Sequence, residues 1–551
     1  MLVLLALVFV GALFISVTLL PVLMQNAERW HLVDVPNEKR KIHKVSKPRV
    51  GGLGIVAAAF LSATYWLVGH EVPPGLVVGA VTIVVFGYLD DRHNLRVRWK
   101  LFGQILAALA LLMGGTVIPH VPFLPLDVAP PWLTWPLTFV FVLGAINAVN
   151  LSDGLDGLAG GMALMSLCLI AALGLSGGQY LAPVIATAVG GGLMGFLRYN
   201  THPSQMFMGD TGSQFLGYVI AALAILLVQE PGLPVSPMLP LLIVGMPVLD
   251  TAAVMMLRIL KGRSPFLPDS SHLHHQLIDV GLSHHQAVAM LYALQFLLLA
   301  LAWEYRFAME WKVALVYGAF TLIVLGPVAV LRLTNTALVH RQEGTVERRN
   351  QLLRRLGWVY LHSSRIIASG LGLLLVVAAF LVRRPVEGLG HTPLLAAFTG
   401  AMVWAIFRER REFVVRLLVY MACAFVVYAI SESAARPVFT LGFDVVLVLM
   451  VAFLFLAIRM TRREVFRPDT QDALVVLMIL IIPLLPFGPM AEIELQRIAL
   501  RSAALGCAAL LLRIRPQPLP RCPAFHPEHR SDRRLAGAGS VRRFCGNICR
   551  A

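Results

Sequence analysis

Charge is scarce in this sequence. Asp, Glu, Lys and Arg make up 14% of its 551 residues, against about 25% in a soluble globular chain. With 58% of the residues hydrophobic, that shortage excludes a soluble enzyme and a disordered chain. Cysteine is sparse as well, and six in the whole sequence exclude a disulfide scaffold. Cys168, Cys423 and Cys507 fall in apolar stretches, where a small hydrophobic filler is expected. Cys522, Cys545 and Cys549 lie in a basic tail, and their spacing with His526 and His529 matches no standard zinc pattern. The first apolar stretch has no Lys or Arg before it and no small-residue cleavage site, so it is expected to be a retained helix rather than a secretory signal.

What the sequence does contain is apolar length. Stretches of about 17–22 residues, long enough to cross a bilayer, recur at about 2–24, 50–69, 75–89, 101–118, 133–149, 158–176, 181–197, 213–229, 237–257, 287–303 and 312–331. A second set lies at about 366–382, 392–407, 413–430, 439–458, 471–488 and 495–512. The pattern predicts an all-α polytopic transmembrane helix bundle, with about eleven spans in the first part and about six in the second.

Acidic residues are in deficit: 30 Asp and Glu face 46 Lys and Arg, for a net charge of +16. In a soluble protein this balance would suggest nucleic acid. Here its distribution matters more. With the N-terminus outside, 39 of the 46 Lys and Arg fall on one side, leaving Arg306, Lys312, Arg383, Arg384, Arg436, Arg497 and Arg501 on the other. That bias marks the rich side as cytoplasmic and favours anionic lipid head groups as neighbours. Nucleic acid is not an expected partner.

Residues 1–331 carry long cytoplasmic loops rich in Asp, Asn, Gly and His. Residues 332–365 form a basic linker in which Leu352, Leu353, Leu356 and Val359 recur at helical spacing, as in an amphipathic surface helix. Residues 366–512 hold six spans without an assigned role, and 513–551 read as a disordered basic tail.

Six carboxylates sit where the first part meets the cytoplasm: Asp90, Asp91, Asp153, Asp156, Asp210 and Asp250. Like charges gathered at one level repel unless a cation sits among them. A hard divalent ion with oxygen ligands fits best, Mg²⁺ first and Mn²⁺ as the alternative. The plainer reading of each aspartate alone is a helix cap or an interfacial side chain. Under the charge-derived topology, the spans at 101–118, 158–176 and 213–229 start on the cytoplasmic side, where helix N-termini favour anions. Immediately before them stand Arg98-Trp99-Lys100, the Asp153–Gly157 turn and the Gly209–Ser213 turn. Carboxylates beside anion sites are the ingredients of metal-assisted phosphoryl transfer.

The loop at 258–286 places His272, His274 and His275 shortly after Lys261 and Arg263, a set better suited to phosphate or nucleotide than to zinc. His284 and His285 are expected to cap the next span. The first loop packs Lys39, Arg40, Lys41, His43, Lys44, Lys47 and Arg49 together, able to anchor on lipid head groups or to hold a lipid phosphate. Asp34-Val-Pro36-Asn37 before them signals a turn.

Five motifs in one order, DVPNEKRKIHKVSKPRVGG, GYLDD, NAVNLSDGLDGLAGG, FMGDTGS and PFLPDSSHLHH, make residues 1–331 resemble the polyprenyl-phosphate N-acetylhexosamine-1-phosphate transferases. The likeness leans toward the branch that starts O-antigen, common-antigen and teichoic-acid linkage lipids. The branch that attaches phospho-MurNAc-pentapeptide resembles it less, because its histidine loop usually reads HHHFE where HLHHQ stands here. The resemblance implies that undecaprenyl phosphate attacks the β-phosphorus of a UDP-N-acetylhexosamine, most simply UDP-GlcNAc, at the cytoplasmic face of the inner membrane, releasing UMP. It also implies Mg²⁺ on Asn150 and Asp210, lipid-phosphate activation by Asp90 and Asp91, and catalysis or nucleotide binding by Asp153 and Asp156. Lys100 matches a phosphate-binding lysine, the histidine loop a nucleotide-sugar contact, and Lys47 and Arg49 lie in the basic substrate-side loop. Self-association as a homodimer stays open, as does a two-step path through a phospho-aspartate. Two rivals from other classes are a secondary transporter, which would place its ionisable groups near the bilayer midplane, and an assembly scaffold, which fits only the part beyond residue 331.

Overall fold

In a bilayer, backbone N–H and C=O groups have to be paired within the chain, which favours helix wherever the sequence is apolar. The computed structural model describes residues 1–34, 46–124, 129–230, 232–262, 264 and 272–333. In chain order the elements are α1 (Leu2–Asn26), β1 (Val33–Asp34), β2 (Lys47–Pro48), α2 (Gly51–Trp66), α3 (Pro74–His93), α4 (Val97–Met113), α5 (Pro131–Leu151) and α6 (Leu158–Ser176). They continue with α7 (Leu181–Asn200), α8 (Gly209–Gln229), α9 (Leu239–Ile243), α10 (Gly245–Leu260), α11 (Leu273–Asp279), α12 (His284–Glu304) and α13 (Glu310–Leu333). Among the described residues, α1, α3, α5, α6, α7, α8, α12 and α13 are long and apolar enough to cross a membrane. This is a multi-pass membrane protein. The linker at 332–365, the six spans expected at 366–512 and the tail at 513–551 lie outside the described residues, apart from the last helical positions of α13.

The bundle is organised around α8, which packs on α2, α3, α5 and α6 and is buried along almost its whole length. Close approach explains its small residues. A Cβ on Gly87 of α3 would meet the Thr211 backbone of α8 at 2.6 Å, so only glycine lets the two helices come this near.

Three details differ from the sequence expectation. The single stretch at 237–257 is broken at Val244 into α9 and α10. Pro247 lacks an N–H and its ring crowds the carbonyl four residues back, at Ile243. That freed carbonyl accepts the Ser166 hydroxyl at 2.8 Å instead. The first loop holds a two-residue antiparallel ladder, Val33 opposite Pro48 and Asp34 opposite Lys47, too short to be legible as alternation. The histidine loop contains the short helix α11. His284 and His285 do not cap α12: Ser283 does, through a capping box with Gln286.

Candidate active site

The C-terminal ends of α3, α5 and α7 and the N-terminal ends of α4, α6 and α8 surround a cavity of about 460 Å³ at one end of the bundle. Its lining includes five of the six expected carboxylates, Asp90, Asp91, Asp153, Asp156 and Asp210, together with Asn150, Lys100 and Arg49. Asp250 is absent from that lining. It accepts the Leu273 N–H at 2.7 Å and lies 3.1 Å from His272 Nδ1, so it fastens α11 to α10.

Asp90 and Asp91 end α3 and do different things. Asp91 Oδ1 accepts the Asp210 N–H at 2.8 Å, and Oδ2 accepts the Thr211 N–H at 3.0 Å and its hydroxyl at 2.6 Å. Asp91 therefore caps α8, whose N-terminus is taken rather than open to a phosphate as the sequence suggested. Gly209 makes this possible: its φ is +74°, and a Cβ there would collide with the Asp91 carboxylate. Asp90 Oδ2 instead lies 2.6 Å from Lys100 Nζ, which is also 2.6 Å from Asp210 Oδ2. Asp90 Oδ1 is buried without a partner among the described residues.

Two further motif positions shift. Arg98-Trp99-Lys100 and Gly209–Ser213 form the first turns of α4 and α8 rather than preceding them. The Asp153–Gly157 turn does precede α6, and its last residue, with φ +84°, donates its N–H to Asn200 Oδ1 at 2.9 Å. Asn150, in the last turn of α5, accepts the Ser213 hydroxyl at 2.7 Å.

Asp153 and Asp156 sit in one turn with opposite electrostatics. Burial, and then the charges of Asp210, Asp156 and Asp91, push the Asp153 carboxyl up to about 7. Burial alone would raise Asp156 too, but the Ser204 N–H, His202, the Ser204 hydroxyl and the Lys47 charge together hold it below the usual carboxylate range. The distances are 3.1 Å from Ser204 N, 2.8 Å from His202 Nδ1 and 2.8 Å from Ser204 Oγ. Lys47 donates to that same Ser204 hydroxyl at 2.8 Å. Arg49 pairs with Asp34 and donates to Asn94 Oδ1 at 3.2 Å. Lys39, Arg40, Lys41, His43, Lys44 and Arg263 lie outside the described residues.

The histidine loop stands behind the cavity wall. His272 and His274 are buried, and His274 packs against Gly154 of the Asp153–Asp156 turn. Burial, with His275 beside it, lowers His274 to about 4. His275 is half-buried, and none of the three lines the cavity.

Sequence reasoning missed His202, Ser204 and Asn200, and it named Ser213 only as the end of the Gly209–Ser213 turn. The first three stand just before FMGDTGS, and the shortness of the connection from α7 to α8 was the available signal. Asp156, His202 and His284 also bring possible ligand atoms within 4.8 Å of one another. The His202 and His284 rings are stacked, 4.0 Å apart and 22° from parallel. Their in-plane lone pairs therefore run side by side instead of converging on one ion. Hydrogen bonding suits this trio better: His284 Nε2 donates to the Asp156 carbonyl at 3.2 Å.

The sequence of residues 74–228, from α3 to α8, matches glycosyl transferase family 4. A probable undecaprenyl-phosphate N-acetylglucosaminyl 1-phosphate transferase of Bacillus subtilis is 37% identical over 295 residues, covering 52% of this chain and 81% of that protein. The chain belongs to this family. A decaprenyl-phosphate N-acetylglucosaminephosphotransferase of Mycobacterium leprae is 34% identical, over 48% of this chain and 75% of its own length. An undecaprenyl-phosphate alpha-N-acetylglucosaminyl 1-phosphate transferase of Escherichia coli K12 is 30% identical, over 48% and 74%. The family makes this chain a membrane-embedded enzyme of the glycosyltransferase class. The matched stretch contains Asp90, Asp91, Lys100, Asn150, Asp153, Asp156 and Asp210, while Lys47, Arg49 and the histidine loop fall on either side of it.

Proposed function

We propose that the protein transfers N-acetylglucosamine 1-phosphate from UDP-GlcNAc to undecaprenyl phosphate at the cytoplasmic face of the bacterial inner membrane, starting a lipid-linked envelope polysaccharide. An oxygen of the lipid phosphate attacks the β-phosphorus of the UDP-sugar. The bond between that phosphorus and the bridging oxygen breaks, and UMP leaves with the electron pair. The observation that carries this reading is the gathering of Asp90, Asp153, Asp156, Asp210, Asn150 and Lys100 on one cavity.

The donor set fits a hard divalent cation. It offers carboxylate and carboxamide oxygens, it includes the unpartnered Asp90 Oδ1, and the charges of Asp210, Asp156 and Asp91 crowd the buried Asp153 carboxyl. Asn150 and Asp210 would hold Mg²⁺, with Asp90 and Asp153 beside it, and the ion would neutralise the diphosphate and stabilise departing UMP. The chain's own groups do the rest. Lys100, already between Asp90 and Asp210, supplies a mobile cation able to turn toward a phosphate oxygen. Asp90 faces the acceptor phosphate, while Asp91 keeps α8 in place. Asp156, held ionised by Ser204 and His202, and the adjoining Lys47 orient the nucleotide. A lipid phosphate is largely dianionic near neutral pH, so positioning and charge neutralisation carry most of the rate.

The cytoplasmic assignment is supported by the 39 basic residues on that side. Against a transporter stands the position of the acids at one end of the bundle rather than between its halves. The test is incubation of membranes with radiolabelled UDP-GlcNAc, undecaprenyl phosphate and Mg²⁺. Label extracted into lipid, together with released UMP, supports the reading. Label that crosses the membrane and stays on water-soluble sugar contradicts it.

A further inference from the structure

Beneath the cavity, three carboxamides meet inside the bundle. Gln104 of α4 and Gln214 of α8 are 2% and 1% exposed, and Asn147 of α5 lies against them. Asn147 Nδ2 donates to Gln104 Oε1 at 2.8 Å and to the Leu143 carbonyl at 2.8 Å. Gln104 Nε2 donates to Asn147 Oδ1 at 3.4 Å and to Gln214 Oε1 at 3.2 Å. Gln104 is thus the hub of a network spanning three helices.

Burying such groups is costly unless they bond one another, and apolar side chains such as the neighbouring Ala107, Ala108 and Ile146, all fully buried, would fill the space without that cost. What the amides add is direction. Apolar contacts tolerate small rotations and axial slips, whereas a hydrogen bond weakens steeply off its preferred angle. Their placement gives that direction a purpose. Gln104 follows Lys100 by four residues, Gln214 follows Asp210 by four, and Asn147 precedes Asn150 by three. At those spacings each amide lies one turn from a site residue and on nearly the same helix face.

We infer that Gln104, Asn147 and Gln214 are positioning residues that set the spacing of Lys100, Asn150 and Asp210, and through it the affinity for the divalent cation. The inference rests on the proposed reading of Asn150 and Asp210 as cation ligands. A misplacement of about 1 Å at reacting groups costs about a hundredfold in rate, so a network that fixes helix rotation has a direct lever on turnover.

The test uses the full-length protein in detergent, with Gln104→Met and Gln214→Met as variants of similar length that cannot bond as amides do. Leu111→Ala, fully buried further along α4, serves as a control for simple loss of packing. Mn²⁺ binding is followed by the electron paramagnetic resonance signal of the free ion, with and without UMP, alongside thermal midpoints and turnover per folded molecule. Each Gln variant is expected to bind Mn²⁺ at least about fivefold more weakly and to turn over at least about tenfold more slowly. Leu111→Ala should lose thermal stability and bind as the parent does. Gln variants that bind Mn²⁺ and turn over like the parent, whatever their midpoints, overturn the inference alone. A parent that binds no Mn²⁺ in either condition overturns the cation reading, and the inference with it.

Discussion

Asp91 and Thr211 are joined twice through a single oxygen: Asp91 Oδ2 accepts both the N–H of Thr211, at 3.0 Å, and its hydroxyl, at 2.6 Å. The residue beside Asp91 makes no such contact, since Asp90 reaches Lys100 instead. Adjacent positions on a helix point about 100° apart, and the two aspartates accordingly make different contacts: Asp91 caps α8, while Asp90 pairs with Lys100. Asp91→Asn should therefore destabilise the protein, by about 1–3 kcal/mol for a damaged buried charge-assisted network, with turnover per folded molecule falling less. Asp90→Asn should leave the thermal midpoint near that of the parent and lower kcat by at least about tenfold relative to Asp91→Asn, or about 1.4 kcal/mol. Thermal melts and kcat measured on both variants check the split; equal losses in both quantities count against it.

Asp153 gives the metal-free protein a pH signature. Its carboxyl stands at about 7 in the folded state against 3.8 in the ordinary one, so folding favours its protonated form. The stabilising contribution of that form is complete below pH 3.8 and is lost as pH rises through 7. In EDTA, Asp153→Asn should raise the thermal midpoint at pH 8 by about 1–2 °C, the response to about 1 kcal/mol of a chain well above about 250 residues. It should also abolish most turnover. The gain should be clearly smaller at pH 5, where the folded parent carboxyl is already protonated, and vanish only below pH 3.8, where the unfolded one is protonated too. A gain that is the same at both pH values would place its origin elsewhere.

Lys47 and Ser204 should act as one unit. Lys47 donates to the Ser204 hydroxyl, which in turn donates to Asp156, so either truncation frees the same carboxylate. Lys47→Ala and Ser204→Ala should each raise KM for the UDP-sugar more than they lower kcat. The double variant should fall short of additivity by about 0.5–3 kcal/mol. Strict additivity would mean the two side chains do not cooperate in nucleotide binding.

Much of this was legible in the sequence, because apolar length is a strong signal and the motif glycines and aspartates stand in fixed order. The stretches up to residue 331 reappear as helices, and the cavity collects most of the residues singled out. What escaped had physical reasons. Asp250 looks like Asp210 in sequence, yet only the fold reveals that it faces α11 and not the cavity. The break at Val244 follows from Pro247, whose effect depends on Ser166 of another helix accepting the role of partner to Ile243. The N-terminus of α8 carried every mark of an anion site, and its occupation by Asp91 is a contact across more than a hundred residues of sequence. His202 and Ser204 sit in no motif of their own and matter only because a short connection brings them to Asp156.

The site motifs all precede residue 332, and a basic linker follows. Truncation near residue 360 should therefore insert in the same orientation and keep specific activity within about threefold, the outcome that a domain boundary at the linker requires. Expression yield and turnover per folded molecule are measured together. Low yield with normal turnover assigns residues 366–512 a stabilising role. A well-folded, inactive product would make them part of the active site and overturn the division.

The most direct measurement is transfer of radiolabel from UDP-GlcNAc to lipid by the purified protein, with undecaprenyl phosphate supplied, in Mg²⁺ and in EDTA. The expected result is labelled lipid diphosphate and one UMP per lipid formed, abolished by EDTA, restored by Mg²⁺ or Mn²⁺, and lost in Asp210→Ala while that variant still inserts and folds. Full turnover in EDTA, or near-native kcat in Asp210→Ala, would contradict a divalent cation held at this cavity.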